Sequence, residues 1–226
     1  MLHHRSTMKI GTDAVLLSAW VNTVNVNNIL DIGTGSGIIA LMMAARTNAE
    51  VDAVEPDKES ADEASENFDN SPFADRLNIY HQDIASFTDE TKTKYDLIIS
   101  NPPFFINDMR PENSRRKQAR HSDNLSFSEL CVHSKNLLKK DGRLCLVLPY
   151  FESKIFLEEA GKQELFLNKR ILIFPKPCRE PNRVNIELSN IKTETITHEK
   201  FIIRDEQGNF TKQYVDLLNK YYISIK

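Results

Sequence analysis

The sequence predicts a doubly wound α/β sheet, and three observations carry that prediction. Short apolar segments alternate five times with helix-like segments between residues 28 and 161. Three of the seven glycines fall within five positions, directly after the first apolar segment. The alternation then breaks, and two strand-like segments follow with only PKPCREPN between them, as in an antiparallel pair closing a sheet.

Each element has its own signal. In NNILDIGTGSGIIALMMAAR, Ile29, Leu30 and Ile32 predict a buried strand and Gly33, Gly35 and Gly37 a turn. Ile38, Ile39, Leu41, Met42 and Ala45 then recur at helical spacing. VDAVE (51–55) predicts a second strand before a very acidic helix, and LNIYHQD (77–83) a third before a short helical turn. Residues 95–100 predict a fourth strand, stopped by Pro102 and Pro103. Residues 126–140 predict a helix with Ser126 as N-cap and basic residues in its last turn. Asp141-Gly142 then turns the chain into RLCLVLP, the fifth strand, and YFESKIFLEEAG forms a helix ending at Gly161. LFLNKRILIF (165–174) and RVNIELS (183–189) complete a mostly parallel, seven-stranded sheet with antiparallel C-terminal strands. A strand at 200–204 and a helix over 211–222 form a short extension, 200–226, of a single domain spanning 1–226.

Composition narrows the function. The chain has 226 residues, 40% hydrophobic and 27% charged, which is ordinary globular usage. A net charge of −3 excludes nucleic-acid binding through the overall field but allows a local basic patch. Two such segments exist: 101–120 carries five basic and two acidic residues, and 168–183 five and one. No stretch approaches the about 20 apolar residues of a membrane span. The start has no apolar signal core, so a cytoplasmic protein is expected. Cys131, Cys145, Cys178 and the six histidines lack metal-ligand spacing, and no metal is expected. Trp20 reads as core.

Three features sit at predicted strand ends, where open α/β sheets bind ligands. The glycine turn lets a ligand approach the backbone, and the helix behind it favours negative charge. A dinucleotide fingerprint would need a third glycine at position 38, which is Ile38. The pattern from Asp31 to Gly37 is instead D-x-G-x-G-x-G. Glu55 can accept hydrogen bonds from both hydroxyls of a ribose, although a solvated acid at the head of an acidic helix reads the same way. Asn101-Pro102-Pro103-Phe104 is the sharpest signal. Two prolines after a buried strand stiffen the backbone and leave carbonyls free to accept. The Asn oxygen and a proline carbonyl can together accept both protons of a planar amino group. Phe104 offers a face for stacking a flat base. Arg115, Arg116, Lys117 and Arg120 follow, where an incoming phosphate backbone would meet them. The same role fits Lys169, Arg170, Lys176, Arg179 and Arg183 less well. The stretch 105–124 lacks periodicity and reads as a loop ordered by substrate.

The glycine motif resembles that of class I S-adenosylmethionine-dependent methyltransferases, and the quartet resembles the N-P-P-[FY] motif of those acting on amino or amide nitrogens. MKIGTDAVLLSAW (8–20), LDIGTGSGIIALMMAART (30–47), DLIISNPPF (96–104), the stretch from Arg115 to His121, and FIIRDEQGNFTKQYVDLLNKYY (201–222) resemble the bacterial tRNA1(Val) (adenine-37-N6)-methyltransferases over nearly the whole chain. One departure is that little precedes Met8, where members carry an aromatic and basic stretch. The resemblance implies a Rossmann-like fold, S-adenosylmethionine as cofactor, and the anticodon stem-loop of a tRNA as the substrate of a monomer. It also implies roles. Lys9, Thr12 and Asp13, in an N-terminal segment (1–22) covering the cofactor, would lie over its methionine end. Asp31, Gly33, Thr34, Gly35 and Gly37 would hold the methionine part, Glu55 the ribose and Asp83 the adenine. Asn101, Pro102, Pro103 and Phe104 would hold the target base, with Asn101 also beside the cofactor. Thr12-Asp13 can cap a helix as well, and for Asp83 a helix N-cap is the lesser alternative. Rival readings are an N-methyltransferase of the same motif class acting on ribosomal RNA guanine or protein glutamine, and a non-catalytic RNA-binding protein.

Overall fold

The computed structural model describes residues 1–6, 11–102 and 125–221. Their order is α1 (Thr12–Trp20), β1 (Asn28–Ile32), α2 (Ile38–Arg46), β2 (Glu50–Val54), α3 (Lys58–Asp69), β3 (Leu77–Tyr80), α4 (Ile84–Glu90) and β4 (Tyr95–Ser100). These are followed by α5 (Phe127–Leu137), β5 (Leu138–Pro149), α6 (Glu152–Lys162), β6 (Phe166–Phe174), β7 (Arg183–Ser189), β8 (Thr197–Ile202) and α7 (Lys212–Leu218).

β1 is central because it is apolar on both faces: Ile29, Leu30 and Ile32 are buried, with Asp31 the one fully buried polar side chain among them. Period-two alternation divides the core. Ile29, Leu97, Ile99, Cys145 and Val147 face α1, α2, α3 and α7, while Leu30, Ile98, Leu144, Leu146 and Leu148 face α4, α5 and α6.

The sheet has eight strands in the order β3-β2-β1-β4-β5-β7-β6-β8, not the seven expected. β6 and β7 form the expected antiparallel pair, and β7 also runs against β5. β8, expected in a separate extension, pairs in parallel with β6 from Lys169–Thr197 to Phe174–Ile202. It covers an edge that would otherwise present unpaired backbone groups. Asp141-Gly142 is not a turn either. α5 ends at Leu137 and runs straight into β5, whose pairing with β4 jumps from Tyr95–Leu138 to Tyr95's neighbour-but-one, Leu97, opposite Arg143. A Cβ on Gly142 would lie 2.6 Å from the Tyr95 carbonyl oxygen, so this irregularity requires glycine. Ser126 caps α5 as expected, in a reciprocal capping box with Glu129.

The cap expected of Thr12-Asp13 does not form. The N-cap of α1 is Gly11 and makes no side-chain cap bond. Asp13 instead pairs with Arg183 at 2.8 Å, tying the first turn of α1 to the start of β7. Trp20 is half-buried, with the Lys169 ammonium 5.1 Å from its ring centroid. No helix among the described residues is long and apolar enough to cross a membrane.

Candidate functional site

The glycine bend, Glu55 and Asn101 come together on one rim. Ile32 pairs with Val54 on one side and with Ser100 on the other. The next residue of each strand is therefore Gly33, Glu55 or Asn101, and parallel neighbours lie about 4.8 Å apart. Ser100 fixes the register further by donating its hydroxyl to the Ile32 carbonyl at 2.8 Å.

The bend is built from left-handed backbone: Gly33, Gly35 and Gly37 have φ of +71°, +56° and +86°. Gly37 carries a second constraint, because a Cβ there would lie 2.5 Å from the Phe68 ring of α3. Gly37→Ala should therefore cost about 2–4 kcal/mol, from backbone strain plus overpacking. Urea unfolding checks this; an unchanged midpoint would mean that α3 does not press on the bend. The space beside Gly33 is open to 4 Å.

Asp31 lies under the bend, 0% exposed. Its Oδ2 accepts from the Thr34 hydroxyl at 2.6 Å and the Ala40 N–H at 3.2 Å, while Oδ1 has no partner among the described residues. Burial pushes its pKa up to about 7, against the pull of those two donors. Glu55 is nearly buried and accepts from the Gly35 N–H at 2.8 Å and the Asp57 N–H at 3.0 Å. It thereby braces the bend, and burial raises its pKa in spite of both bonds. The Asn101 Oδ1 is likewise buried without a partner among the described residues, and Pro102 is buried. Buried acceptors are normally paired, so these two lack a donor among the described residues at the rim where open α/β sheets bind ligands.

Other expected residues are placed differently. β3 ends at Tyr80, so Asp83 lies beyond the strand. It is exposed and caps α4, accepting from the Ser86 N–H and hydroxyl, each at 2.9 Å. Those bonds hold its carboxyl below the usual range. Thr12 is exposed at the start of α1. Lys9, Pro103, Phe104, Arg115, Arg116, Lys117 and Arg120 lie outside the described residues, as does the stretch 105–124 up to Asn124. Among the described residues no cluster of three His, Cys, Asp or Glu could hold a metal ion.

One part of the site was not foreseen. Residues 2–6 run along α3 and reach the bend, where the Ser6 hydroxyl would lie 3.4 Å from a Cβ on Gly35. Glu63, whose side chain is 0% exposed, accepts the backbone N–H groups of His4, Arg5 and Ser6 at 2.8–3.0 Å. Burial alone would raise its pKa, but the three N–H donors bring it below the usual value. Asn67 adds bonds to both backbone groups of Leu2 and to the Ser36 carbonyl. The available signal was spacing: Glu63 and Asn67 are four apart, beside the buried Ala64 and Phe68.

The Methyltransferase small domain family matches residues 5–159. A tRNA1(Val) (adenine(37)-N6)-methyltransferase of Parabacteroides distasonis is 34% identical over 99% of this chain and 94% of its own. Proteins of the same name from Bacteroides fragilis and Photorhabdus laumondii are each 37% identical, over 99% and 98% of this chain and 94% and 91% of theirs. Among solved structures, a predicted O-methyltransferase from Agrobacterium tumefaciens superposes with a TM-score of 0.71 at 22% identity, covering 92% of this chain and 96% of that one. A ribosomal protein L11 methylase from Lactobacillus delbrueckii gives 0.56 at 17% identity, over 80% and 77%. The structures speak to the fold alone. With relatives this similar over almost their full length, and with the glycine bend and the Asn-Pro corner side by side on one rim, the chain belongs to the tRNA1(Val) (adenine(37)-N6)-methyltransferase family within the small-domain methyltransferases.

Proposed function

We propose that this protein methylates the N6 amino group of an adenine in the anticodon loop of a tRNA, at position 37 of valine tRNA as its relatives are named, with S-adenosylmethionine as donor. The observation that carries this reading is that two acceptors without a partner among the described residues, Asp31 Oδ1 in β1 and Asn101 Oδ1 just after β4, sit on neighbouring strand paths. When bound, S-adenosylmethionine supplies a methyl group already activated on a sulfonium.

The residues present fit that donor. The open space at Gly33 admits its backbone-like methionine part, and the orphaned Asp31 oxygen suits its ammonium. Each Glu55 oxygen keeps a lone pair for a ribose hydroxyl beyond its one backbone bond. Asp83, three residues past the end of β3 and engaged as a cap, would meet the adenine edge only with its remaining lone pairs. Asn101 Oδ1 and the Pro102 carbonyl accept hydrogen bonds from the two N–H groups of the target amino group. This withdraws the nitrogen lone pair from conjugation with the ring and aims it at the bend. No side chain needs to remove a proton before attack, because the amino group becomes acidic as its new bond forms and sheds one proton to water afterwards. The chain contributes alignment, the main requirement when the leaving group is already activated. An unpaired loop base costs little to extrude.

The test is transfer of labelled methyl from S-adenosylmethionine to unfractionated tRNA, followed by digestion to nucleosides. Label is expected in N6-methyladenosine. Label in guanosine only, or none in tRNA while the cofactor binds, would overturn the reading.

A further inference from the structure

We infer that the β6–β7 turn, together with the segment that follows β8, forms a second contact for the RNA, gripping its phosphate backbone. This rests on the reading that the substrate is a tRNA.

Strand direction puts the turn where it can act. β6 and β8 run with β1 and β4, and β7 runs against them. The connection from Phe174 to Arg183 therefore lies on the same rim as Gly33, Glu55 and Asn101. Three strand spacings separate β4 from β6 in the sheet order, or about 14 Å, which a short stretch of nucleic-acid backbone spans. The Ile203 N–H donates to the Phe174 carbonyl at 2.9 Å and the Arg204 N–H to the Pro175 carbonyl at 3.2 Å, lashing the chain after β8 to the turn. Between them opens a cleft of about 600 Å³ lined by Pro175, Lys176, Arg179, Glu180 and Arg204.

The charges in this region are divided by task. Lys169 pairs with Glu199 at 3.0 Å, Arg170 bonds His198 at 2.8 Å, and Arg183 pairs with Asp13 at 2.8 Å. Lys176 and Arg179, at the exposed tip, make no ion pair among the described residues. Glu180 is the one acid on the cleft wall among the described residues. Arg204 is prepositioned. Its guanidinium carbon stands 4.0 Å from the Phe210 ring centroid, and that ring stacks on Tyr214 at 4.4 Å. One of its N–H groups is held by the Gly208 carbonyl at 2.6 Å, and the remaining fork can meet a phosphate. Pro175 and Pro177 stiffen the turn, which the Arg179 N–H closes onto the Lys176 carbonyl at 3.2 Å. Three cations, Arg204 among them held by Phe210 and the Gly208 carbonyl, stand against one carboxylate in the cleft lining, in a chain of net charge −3, and suit a polyanion.

The turn carries its own reporter. Cys178 is exposed between Lys176 and Arg179, whereas Cys131 and Cys145 are buried and burial raises both thiol pKa values. In the intact protein, saturating tRNA should slow maleimide labelling of Cys178 by about tenfold, and S-adenosylmethionine alone should not. Lys176→Ala with Arg179→Ala should weaken tRNA binding by about tenfold and flatten the slope of log K against log salt by about 1.4–1.8. Cofactor affinity by calorimetry and the thermal midpoint should stay at wild-type values. Wild-type protein that binds tRNA while Cys178 labels at an unchanged rate, or a variant with an unchanged salt slope, would overturn this surface and leave the proposed function standing. Wild-type protein that binds S-adenosylmethionine but no tRNA would overturn both.

Discussion

Asn101→Ala should lower the single-turnover rate of methyl transfer by about 10²–10³-fold, the scale seen when one preorganised hydrogen-bonding group is removed from a transition state. Cofactor affinity should change by less than about threefold, since an interaction made only as the reaction proceeds leaves ground-state binding alone. The reason lies in the position of the side chain. Its oxygen is buried and unpartnered, so nothing within the described chain competes for the proton it would accept. The strand behind it is fixed by the Ile32–Ser100 pairing and the Ser100 hydroxyl bond, so alanine should remove the acceptor without moving the backbone. Rapid-quench kinetics with the cofactor prebound, beside calorimetric titration, separates the two effects. An equal loss in both would show that Asn101 supports the cofactor and not the base.

Asp31→Asn should abolish measurable cofactor binding and yet stabilise the ligand-free protein at pH 8. The folded chain keeps the Asp31 proton up to about pH 7, because burial opposes ionisation, while an unfolded chain releases it near 3.8. Between those values the folded state binds more protons, so stability from this group is complete below about pH 4 and is lost as pH rises through 7. At pH 8 the buried, half-satisfied carboxylate costs on the order of 4 kcal/mol. Asparagine keeps an oxygen for Thr34 and Ala40 without the charge. The variant should therefore gain stability over wild type at pH 8 and none at pH 4, as urea unfolding at the two pH values would show. Loss of the cofactor's cationic partner should cost more than about a hundredfold in affinity, because the ligand ammonium would then be buried unpaired. Wild-type binding should release a proton near pH 7, visible as a dependence of calorimetric enthalpy on the buffer. Equal gains at both pH values would show that charge is not the cause.

Much of this was legible because local pattern and global fold agree. An apolar run broken only by Asp31, glycines at 33, 35 and 37, and Asn101-Pro102 after Ser100 each have few structural solutions, and the solutions share one rim. What was not legible depends on partners distant in sequence. β3 looked longer than it is because Asp83 could end a strand or cap a helix, and the Ser86 donors decide that. Thr12-Asp13 looked like a cap, but Arg183, 170 residues away, claims the carboxylate. Glu63 stood in a helix so acidic that a solvated face was the natural reading; it is buried because Leu2 to Ser6 lie across it. β8 was seen as a strand, yet nothing in its residues says that β6 is its neighbour or that the two run the same way.

The reversed direction of β7 has a consequence for tinkering with the enzyme. Had β7 run with its neighbours, the link from β6 would have crossed to the far side of the sheet before returning. Instead the link returns at once, leaving a short hairpin whose tip, Lys176 to Glu180, is exposed. Enlarging such a tip is cheap, since doubling a loop's length adds only about 0.6 kcal/mol of closure entropy. Grafted tips of different length and charge should thus retune which RNA is accepted without retuning the chemistry.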